Sequence, residues 1–330
     1  MIDPATVRIE DRDGLRHVTI EGRQFGFGGA VNRSKLTTHY TRELLEMILE
    51  AKGAAWLRDE VMRTEDPDYI ERPLGRLIER FVSIAGKTVL DFGCGCGASS
   101  IALARLGAAE VYGIEPDPAF AEIARRRVAE DGLEGRVHVH HVPDTTRLPL
   151  PDGSVDLAVC NAVLEHIPPR HRPAHLREIW RTLRPGGHLI ISETPNRLWP
   201  KDHHTTGLWW VPYMPLRLAR RYAIWRSDRV SPECTVEQLV ADGIRGVTYW
   251  EIRRALGPGA ICLNVVRGDD IAVYARTSLA RPGQSRKRRL VKSLVWTMAR
   301  AVEMLILRRL RIPGTALMPE LTLCLCRQEG

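Results

Sequence analysis

The sequence contains no internal repeat and no low-complexity tract. An apolar leader is missing as well. The first residues, MIDPATVRIEDRDGLRH, are acidic and broken by proline, which is not how a secretory signal is built. Cysteine is sparse and odd in number, with seven residues at 94, 96, 160, 234, 262, 324 and 326. That scatter excludes a disulfide scaffold and suggests reduced thiols in a cytosolic chain. No four-residue constellation with metal-ligand spacing is visible, so no metal is expected. Long uncharged apolar runs are absent too. The most apolar stretch near the C-terminus carries three charges, which argues against a membrane span.

What is present is an ordinary soluble composition, 44% hydrophobic and 27% charged. At 330 residues the chain can bury one large core, or one core with a smaller lobe. The net charge of +8 is local. Ten Lys or Arg residues lie between Arg281 and Arg311 against one acid, Glu303, so the rest of the chain is close to neutral. This excludes a general nucleic-acid-binding surface, because the excess belongs to one element.

The periodicities predict helices over 39–64 and 71–85, which cover the start of a core. From 85 onward, short apolar runs alternate with helical patterns. KTVLDFG, AEVYGIEPD, RVHVHHVPD, VDLAVCNAVLEHI and HLIISETPN supply five strands. ASSIALARLG, PAFAEIARRRVAEDGL and HRPAHLREIWRTLRPGG are the helices among them. This alternation predicts a doubly wound α/β sheet with the site along the C-terminal ends of its strands. After Asn196 the rhythm breaks into RLWPKDHHTTGLWWVPYMPLRLARRYAIW, which reads as a lid or substrate lobe. Beyond it, TVEQLVADGI reads as helix, GVTYWEIRR as strand and LTLCLCR as a final strand. The expected regions are an N-terminal part with cap helices (1–84), a core (85–196), a lobe (197–232) and the rest of the sheet (233–330). A basic helix at 285–312 is inserted before the last strand.

The turn VLDFGCGCGASS places Asp91 at the end of the first strand, with Gly93, Gly95 and Gly97 opening the next helix. Glycine permits close backbone approach, as a ligand packed on the turn requires. Cys94 and Cys96 read as small buried fillers, since a Cys-x-Cys pair in a tight turn supplies too few metal ligands. The acid before the first glycine suits a ligand bearing ammonium or sulfonium better than a pyrophosphate. Glu115 ends the second strand, where a carboxylate can accept both ribose hydroxyls, and Asp144 follows the third, where one can accept from an adenine amino group.

Together VLDFGCGCG, VYGIEPD, DTTRLPLPDGSVDLAVCNAVLEHI and LREIWRTLRPGGHLIISETPN resemble the class I S-adenosylmethionine-dependent methyltransferases, particularly the type 11 group. The resemblance covers roughly residues 85 to 195. It implies a Rossmann-like sheet of seven strands with the last antiparallel, and S-adenosyl-L-methionine as cofactor. It further implies that Asp91 and the loop Gly93, Cys94, Gly95 and Gly97 hold the methionine moiety. By the same resemblance Glu115 binds the ribose, Pro116 and Asp117 line the ribose and adenine edge, and Asp144 with Thr145 contacts adenine. Asn161 faces the methionine carboxylate or the substrate mouth.

Methyl transfer from a sulfonium is an in-line displacement, and an oxygen acceptor also needs somewhere for its proton to go. The candidates are His166, Glu193, His203 and His204, while His171 and His175 are expected to face solvent and His138, His140 and His141 to be structural. The segment NAVL is not the Asn/Asp-Pro-Pro-aromatic sequence of base amino-methylation, no Pro-Cys dipeptide stands at a pyrimidine-C5 site, and no Tyr-x-x-x-Lys of a dinucleotide oxidoreductase is seen. A saccharide or glycoconjugate hydroxyl is the leading acceptor, with Trp199, Trp209, Trp210 and Tyr213 available to stack on it or to form lobe core. A small secondary metabolite, a quinone-type lipid, or a methyltransferase-like protein without activity are the alternatives.

On a helical wheel Leu290, Val291, Leu294, Val295, Met298, Val302, Leu305 and Ile306 share one face. Lys292, Arg300 and Glu303 lie opposite, with Trp296 and Leu307 as exceptions. The apolar face either packs on the core or a partner subunit, or lies in an anionic membrane interface. The expected location is cytoplasmic, with membrane association at the cytoplasmic face under the second reading. The partner is a small-molecule or lipid-linked acceptor rather than nucleic acid, and oligomerisation stays open.

Overall fold

The computed structural model describes residues 6–24, 31–280 and 285–328. The chain divides into two compact units, 1–159 and 160–330.

The first unit opens with a meander that the sequence reading did not anticipate: β1 (Thr6–Arg12), β2 (Leu15–Arg23) and β3 (Val31–Thr38), paired antiparallel in that order. Its first hairpin turns on Asp13-Gly14, both at positive φ, between alternating residues. That dipeptide is a strong hairpin signal. The helix expected over 39–64 is two helices, α1 (Arg42–Lys52) and α2 (Ala54–Glu65), because Gly53 at φ 80° leaves the helical region. Val18, Ile20 and Leu36 of the sheet bury against Leu44, Leu45, Ile48 and Leu57 of these helices. Cys96 and Ile123 join the same cluster, so this layer braces the turn after the next strand. A third helix, α3 (Glu71–Glu79), precedes the alternating segment.

That segment runs β4 (Thr88–Phe92), α4 (Ala98–Arg105), β5 (Glu110–Glu115), α5 (Pro118–Glu130), β6 (Val137–His141) and β7 (Val155–Asn161). β4 pairs in parallel with β5 and β7, and β5 with β6. Val89, Leu90, Val111, Ile114, Val155, Leu157 and Val159 are fully buried, as expected for strands covered on both faces.

The second unit continues with α6 (Arg172–Thr182), β8 (Leu183–Pro195), α7 (Leu216–Arg226), α8 (Val236–Ala241), α9 (Tyr249–Leu256), β9 (Ala260–Cys262), α10 (Leu263–Arg267), α11 (Asp270–Ala280), α12 (Arg286–Val302) and β10 (Glu320–Arg327). The seven-stranded sheet has the order β6-β5-β4-β7-β8-β10-β9, with β10 antiparallel to both β8 and β9. This is the mixed Rossmann-like methyltransferase sheet, and the antiparallel last strand is where it was expected.

GVTYWEIRR, expected as a strand, is instead mostly α9. Thr248 and Glu251 form a reciprocal capping box, the Thr248 hydroxyl accepting from the Glu251 N–H at 3.1 Å and the Glu251 carboxylate from the Thr248 N–H at 2.8 Å. Such a box commits the following residues to helix despite their β-branched and aromatic content.

The basic helix also differs from expectation. α12 continues as a π turn over Glu303–Leu307, and Trp296 sets its ring edge-on to Tyr274 of α11. Glu303 is buried and accepts from the Ile271 N–H at 3.2 Å, capping α11. The inward stripe is therefore the one read as the polar side. The apolar side faces outward, which corrects the expectation that it packs on the protein's own core. No helix among the described residues is long and apolar enough to cross a membrane.

Candidate active site

In the first unit the end of β4 and the start of α4 build the glycine turn. Asp91 is almost fully buried, and one carboxylate oxygen accepts from the Ser99 and Ser100 hydroxyls, each at 2.6 Å. Burial pushes its carboxyl above the usual range, while the two serine bonds pull it down. Gly93, Gly95 and Gly97 all have positive φ. At Gly97 (φ 88°) an added Cβ would meet the Ala124 Cβ at 3.0 Å, so α4 and α5 approach through a gap that only glycine leaves. At Gly95 a Cβ would meet nothing within 4 Å, and the turn faces open space there.

Four amides of this turn are already used. Gly93 and Cys94 donate to the Ile114 carbonyl at 2.9 and 3.0 Å, Gly97 to the Cys94 carbonyl at 2.9 Å, and Gly95 to Glu115 at 2.8 Å. A pyrophosphate needs free N–H donors, and these four are not available to one. The second Glu115 oxygen accepts from the Asp117 N–H at 2.9 Å. Each oxygen retains a further lone pair, enough for two vicinal hydroxyls. Burial raises the Glu115 carboxyl against these two backbone donors. The residues therefore fit a nucleoside with a cationic, non-phosphate tail such as S-adenosylmethionine.

Pro116 and Asp117 are exposed, and Asp117 caps α5 by accepting from the Ala119 and Phe120 N–H groups. Asp144 is exposed and accepts from the Thr146 hydroxyl at 2.6 Å, while Thr145 is buried. Cys94 and Cys96 are buried free thiols, the second pushed by burial up to about 11. Both fit the filler role.

In the second unit Asn161 accepts from the Ser192 hydroxyl at 2.6 Å. Of the proton-handling candidates, the structure brings two together. His166 and His204 stand edge to face with ring centroids 5.5 Å apart. Each binds a backbone carbonyl through Nδ1, His166 that of Ala241 at 2.6 Å and His204 that of Asp242 at 3.1 Å. A carbonyl only accepts, so both Nδ1 atoms carry a proton, and in the neutral imidazoles the Nε2 atoms keep the lone pair. Burial, and then the neighbouring His166, lower the His204 imidazole below its ordinary value. Beneath them lies Glu165, a residue passed over in the sequence although LEHI contains it. It is fully buried and, among the described residues, neither carboxylate oxygen has a hydrogen-bond partner. Oε1 lies 3.7 Å from His204 Nε2. Burial pushes the Glu165 carboxyl up to about 8, against the pull of its own backbone N–H, then of the Arg172 guanidinium and the Thr194 hydroxyl.

His203 and Glu193 are not in this cluster. The His203 ring is exposed and accepts from the Trp199 indole N–H at 3.3 Å. Glu193 is exposed at the end of β8 with φ 53°. Asp202, also passed over, is buried and binds the N–H groups of His204, Thr205 and Thr206, which sets the loop that presents His204. Trp209, Trp210 and Tyr213 are each more than half exposed, so they are not lobe core. That core is Val211, Ala219, Leu239 and Ile244. His138 pairs with Glu110 on the sheet. His171 is exposed and His175 half-buried.

Residues 89–187 match the family model described as a methyltransferase domain. With the sheet order, this marks residues 89–187 as a domain of the class I, Rossmann-fold methyltransferase kind, a family whose cofactor is S-adenosyl-L-methionine. Among curated proteins, the chain is 40% identical over 123 residues to methyltransferase GfsG of Streptomyces halstedii, covering 37% of this chain and 43% of that protein. It is 35% identical over 139 residues to a ubiquinone biosynthesis O-methyltransferase of Xanthomonas euvesicatoria pv. vesicatoria (40% and 56% covered). It is 31% identical over 151 residues to a carboxy-S-adenosyl-L-methionine synthase of Erwinia tasmaniensis (42% and 60% covered). The chain thus spans about half the length of the relatives it matches. Among solved structures, the [4+2]-cyclase SpnF overlaps 79% of this chain and 81% of its own at 23% identity and a TM-score of 0.44.

Proposed function

We propose that the protein transfers a methyl group from S-adenosylmethionine to a hydroxyl of a small secondary metabolite or a quinone-type lipid precursor. The observation that carries the donor half is the turn itself: a buried Asp91, amides already spent on carbonyls and on Glu115, and open space over Gly95. The named relatives favour this acceptor class, since one is an O-methyltransferase of ubiquinone biosynthesis. A saccharide hydroxyl is the second reading, kept for the exposed Trp209, Trp210 and Tyr213, which can stack on a sugar face. The type 11 group is our finer assignment for the motifs between 85 and 195.

When bound, S-adenosylmethionine supplies an activated methyl on a sulfonium. The chain then has to align the acceptor oxygen, exclude water and lower the cost of losing the hydroxyl proton. Asp91 and the 93–97 turn hold the amino-acid end, Glu115 the ribose, and Pro116, Asp117, Asp144 and Thr145 the nucleoside edge. For the hydroxyl we put forward the Glu165, His166 and His204 cluster ahead of His203 and Glu193. Both imidazoles bind backbone carbonyls through Nδ1, and the buried carboxylate lies 3.7 Å from His204 Nε2.

Calorimetric titration with S-adenosylhomocysteine tests the donor half. Asp91→Ala should weaken binding about 10- to 100-fold, the range expected for loss of a charged hydrogen-bonding group. No binding by folded wild type overturns the proposal. Binding without transfer of labelled methyl to any phenolic, small-metabolite or sugar hydroxyl would favour a protein that binds the donor without catalysis.

A further inference from the structure

We infer that the outward face of α12 docks on the surface of an anionic lipid bilayer. Leu290, Leu294, Met298 and Leu305 are each more than 60% exposed, and the apolar stripe they mark runs the length of the helix and its π turn. A soluble helix normally turns such a stripe inward, and this one turns Trp296 and Glu303 inward instead. Glu303 cannot turn out without uncapping α11, so the orientation is held by the fold.

Charge selects the occupant. Arg286, Lys287 and Arg289 are exposed at one end of the stripe, and Arg308, Arg309 and Arg311 at the other. A second copy would set these cations against their own kind. Anionic headgroups would neutralise both ends while the apolar stripe enters the acyl boundary. The 17-residue helix is about 25 Å long, enough to lie in the interface, and its charges keep it from spanning. The inference goes beyond the methyl-transfer reading and does not depend on it.

The full chain is sedimented with phosphatidylcholine vesicles, with and without phosphatidylglycerol, and compared with Leu294→Glu/Met298→Glu. Both substituted residues are exposed, and circular dichroism checks the fold. Wild type should pellet with the anionic vesicles, less so in high salt, and the double substitution should weaken this at least about tenfold. Wild type that stays in the supernatant, or pelleting that the substitutions leave unchanged, overturns the inference. So does a lipid-free dimer that the same substitutions dissociate, with no vesicle binding, which would give the face to a second copy.

The cluster put forward above for the acceptor hydroxyl carries a second proposal: the geometry points to a divalent transition-metal site of the zinc class formed by Glu165, His166 and His204. One ligand atom from each residue lies within 4.8 Å of the others. The 3.7 Å between His204 Nε2 and Glu165 Oε1 is near the edge of about 3.4 Å that tetrahedral coordination at ordinary Zn–N and Zn–O lengths would give. Both imidazoles donate Nδ1–H to the adjacent carbonyls of Ala241 and Asp242, the outer hydrogen bond that orients a metal-bound histidine. The carboxylate is buried and, among the described residues, neither oxygen has a hydrogen-bond partner within 3.5 Å, a state a cation would relieve. Gly243 allows the chain to close over the cluster, since a Cβ there would stand 3.0 Å from both Glu165 Cγ and His204 Nδ1. The exposed histidine edges leave an entry path and open coordination positions for an oxygen ligand.

Untagged protein is titrated with Co²⁺ and followed by its visible d–d absorption. One equivalent should bind with a low-symmetry spectrum. His166→Ala and His204→Ala should each weaken it by more than the about 10- to 100-fold that loss of an outer hydrogen bond costs. Both residues are at the surface, and unchanged S-adenosylhomocysteine binding serves as the folding control. A wild type that binds no Co²⁺, or a double variant that binds it as wild type does, overturns the site.

Discussion

Buried carboxylates are handled differently in the two units. In the first, Asp91 is satisfied by two serines and Glu115 by two backbone amides before any ligand arrives. Glu60 lies among Arg127, Arg63 and Lys52; burial opposes its ionisation, but the three cations together pull its carboxyl below the usual range. In the second unit Glu165 is equally buried and, among the described residues, has no hydrogen-bond partner within normal distance, only His204 at 3.7 Å, and α12 turns its apolar side to the outside. A preorganised site needs only its ligand to complete it. Unsatisfied groups mark places where the fold leaves part of the stabilisation to something else.

Arg172 offers the strongest test of that contrast. It is the buried cation nearest in influence to Glu165, and its guanidinium donates to the Ile167, Gly246 and Arg245 carbonyls at 2.8, 2.8 and 2.9 Å. Arg172→Ala should destabilise the protein by about 3–5 kcal/mol, seen as a lower urea midpoint, because it strands three carbonyls and an acid. A loss below about 1 kcal/mol would mean that the second unit tolerates unsatisfied groups more widely.

A smaller effect is expected in the first unit from Gly97→Ala. The positive φ costs about 1–2 kcal/mol for any side chain, and the Ala124 contact at 3.0 Å adds to it. Stability and S-adenosylhomocysteine affinity should fall together. Affinity that survives intact would separate the turn from the donor. The smallest change is Thr248→Ala, which removes one half of the α9 capping box and should cost about 1 kcal/mol in the same urea titration.

Much of the first unit was legible because its signals are local. Alternating strands and helices, and a glycine turn with acids after successive strands, are written within 60 residues and do not need distant partners to be read. The β1–β2 hairpin was equally local, and its Asp13-Gly14 turn could have been found. The Thr248-x-x-Glu251 box likewise precedes α9 in plain view, but short apolar runs are ambiguous between strand and helix until the cap is weighed.

The chain's sequence by itself determined the Rossmann-like sheet, the glycine turn and the amphipathic character of α12, since each depends on residues close together and on backbone geometry. Only the tertiary structure decided which way α12 faces, because that rests on Glu303 reaching the N-terminus of α11 and on Trp296 meeting Tyr274. It alone brought His204 to Glu165 and His166, by the turn that Asp202 organises and by the close approach at Gly243. Periodicity reports that a helix has two faces, but which one is buried is a contest among all the groups it can reach. The result depends on long-range contacts that no window of the sequence contains.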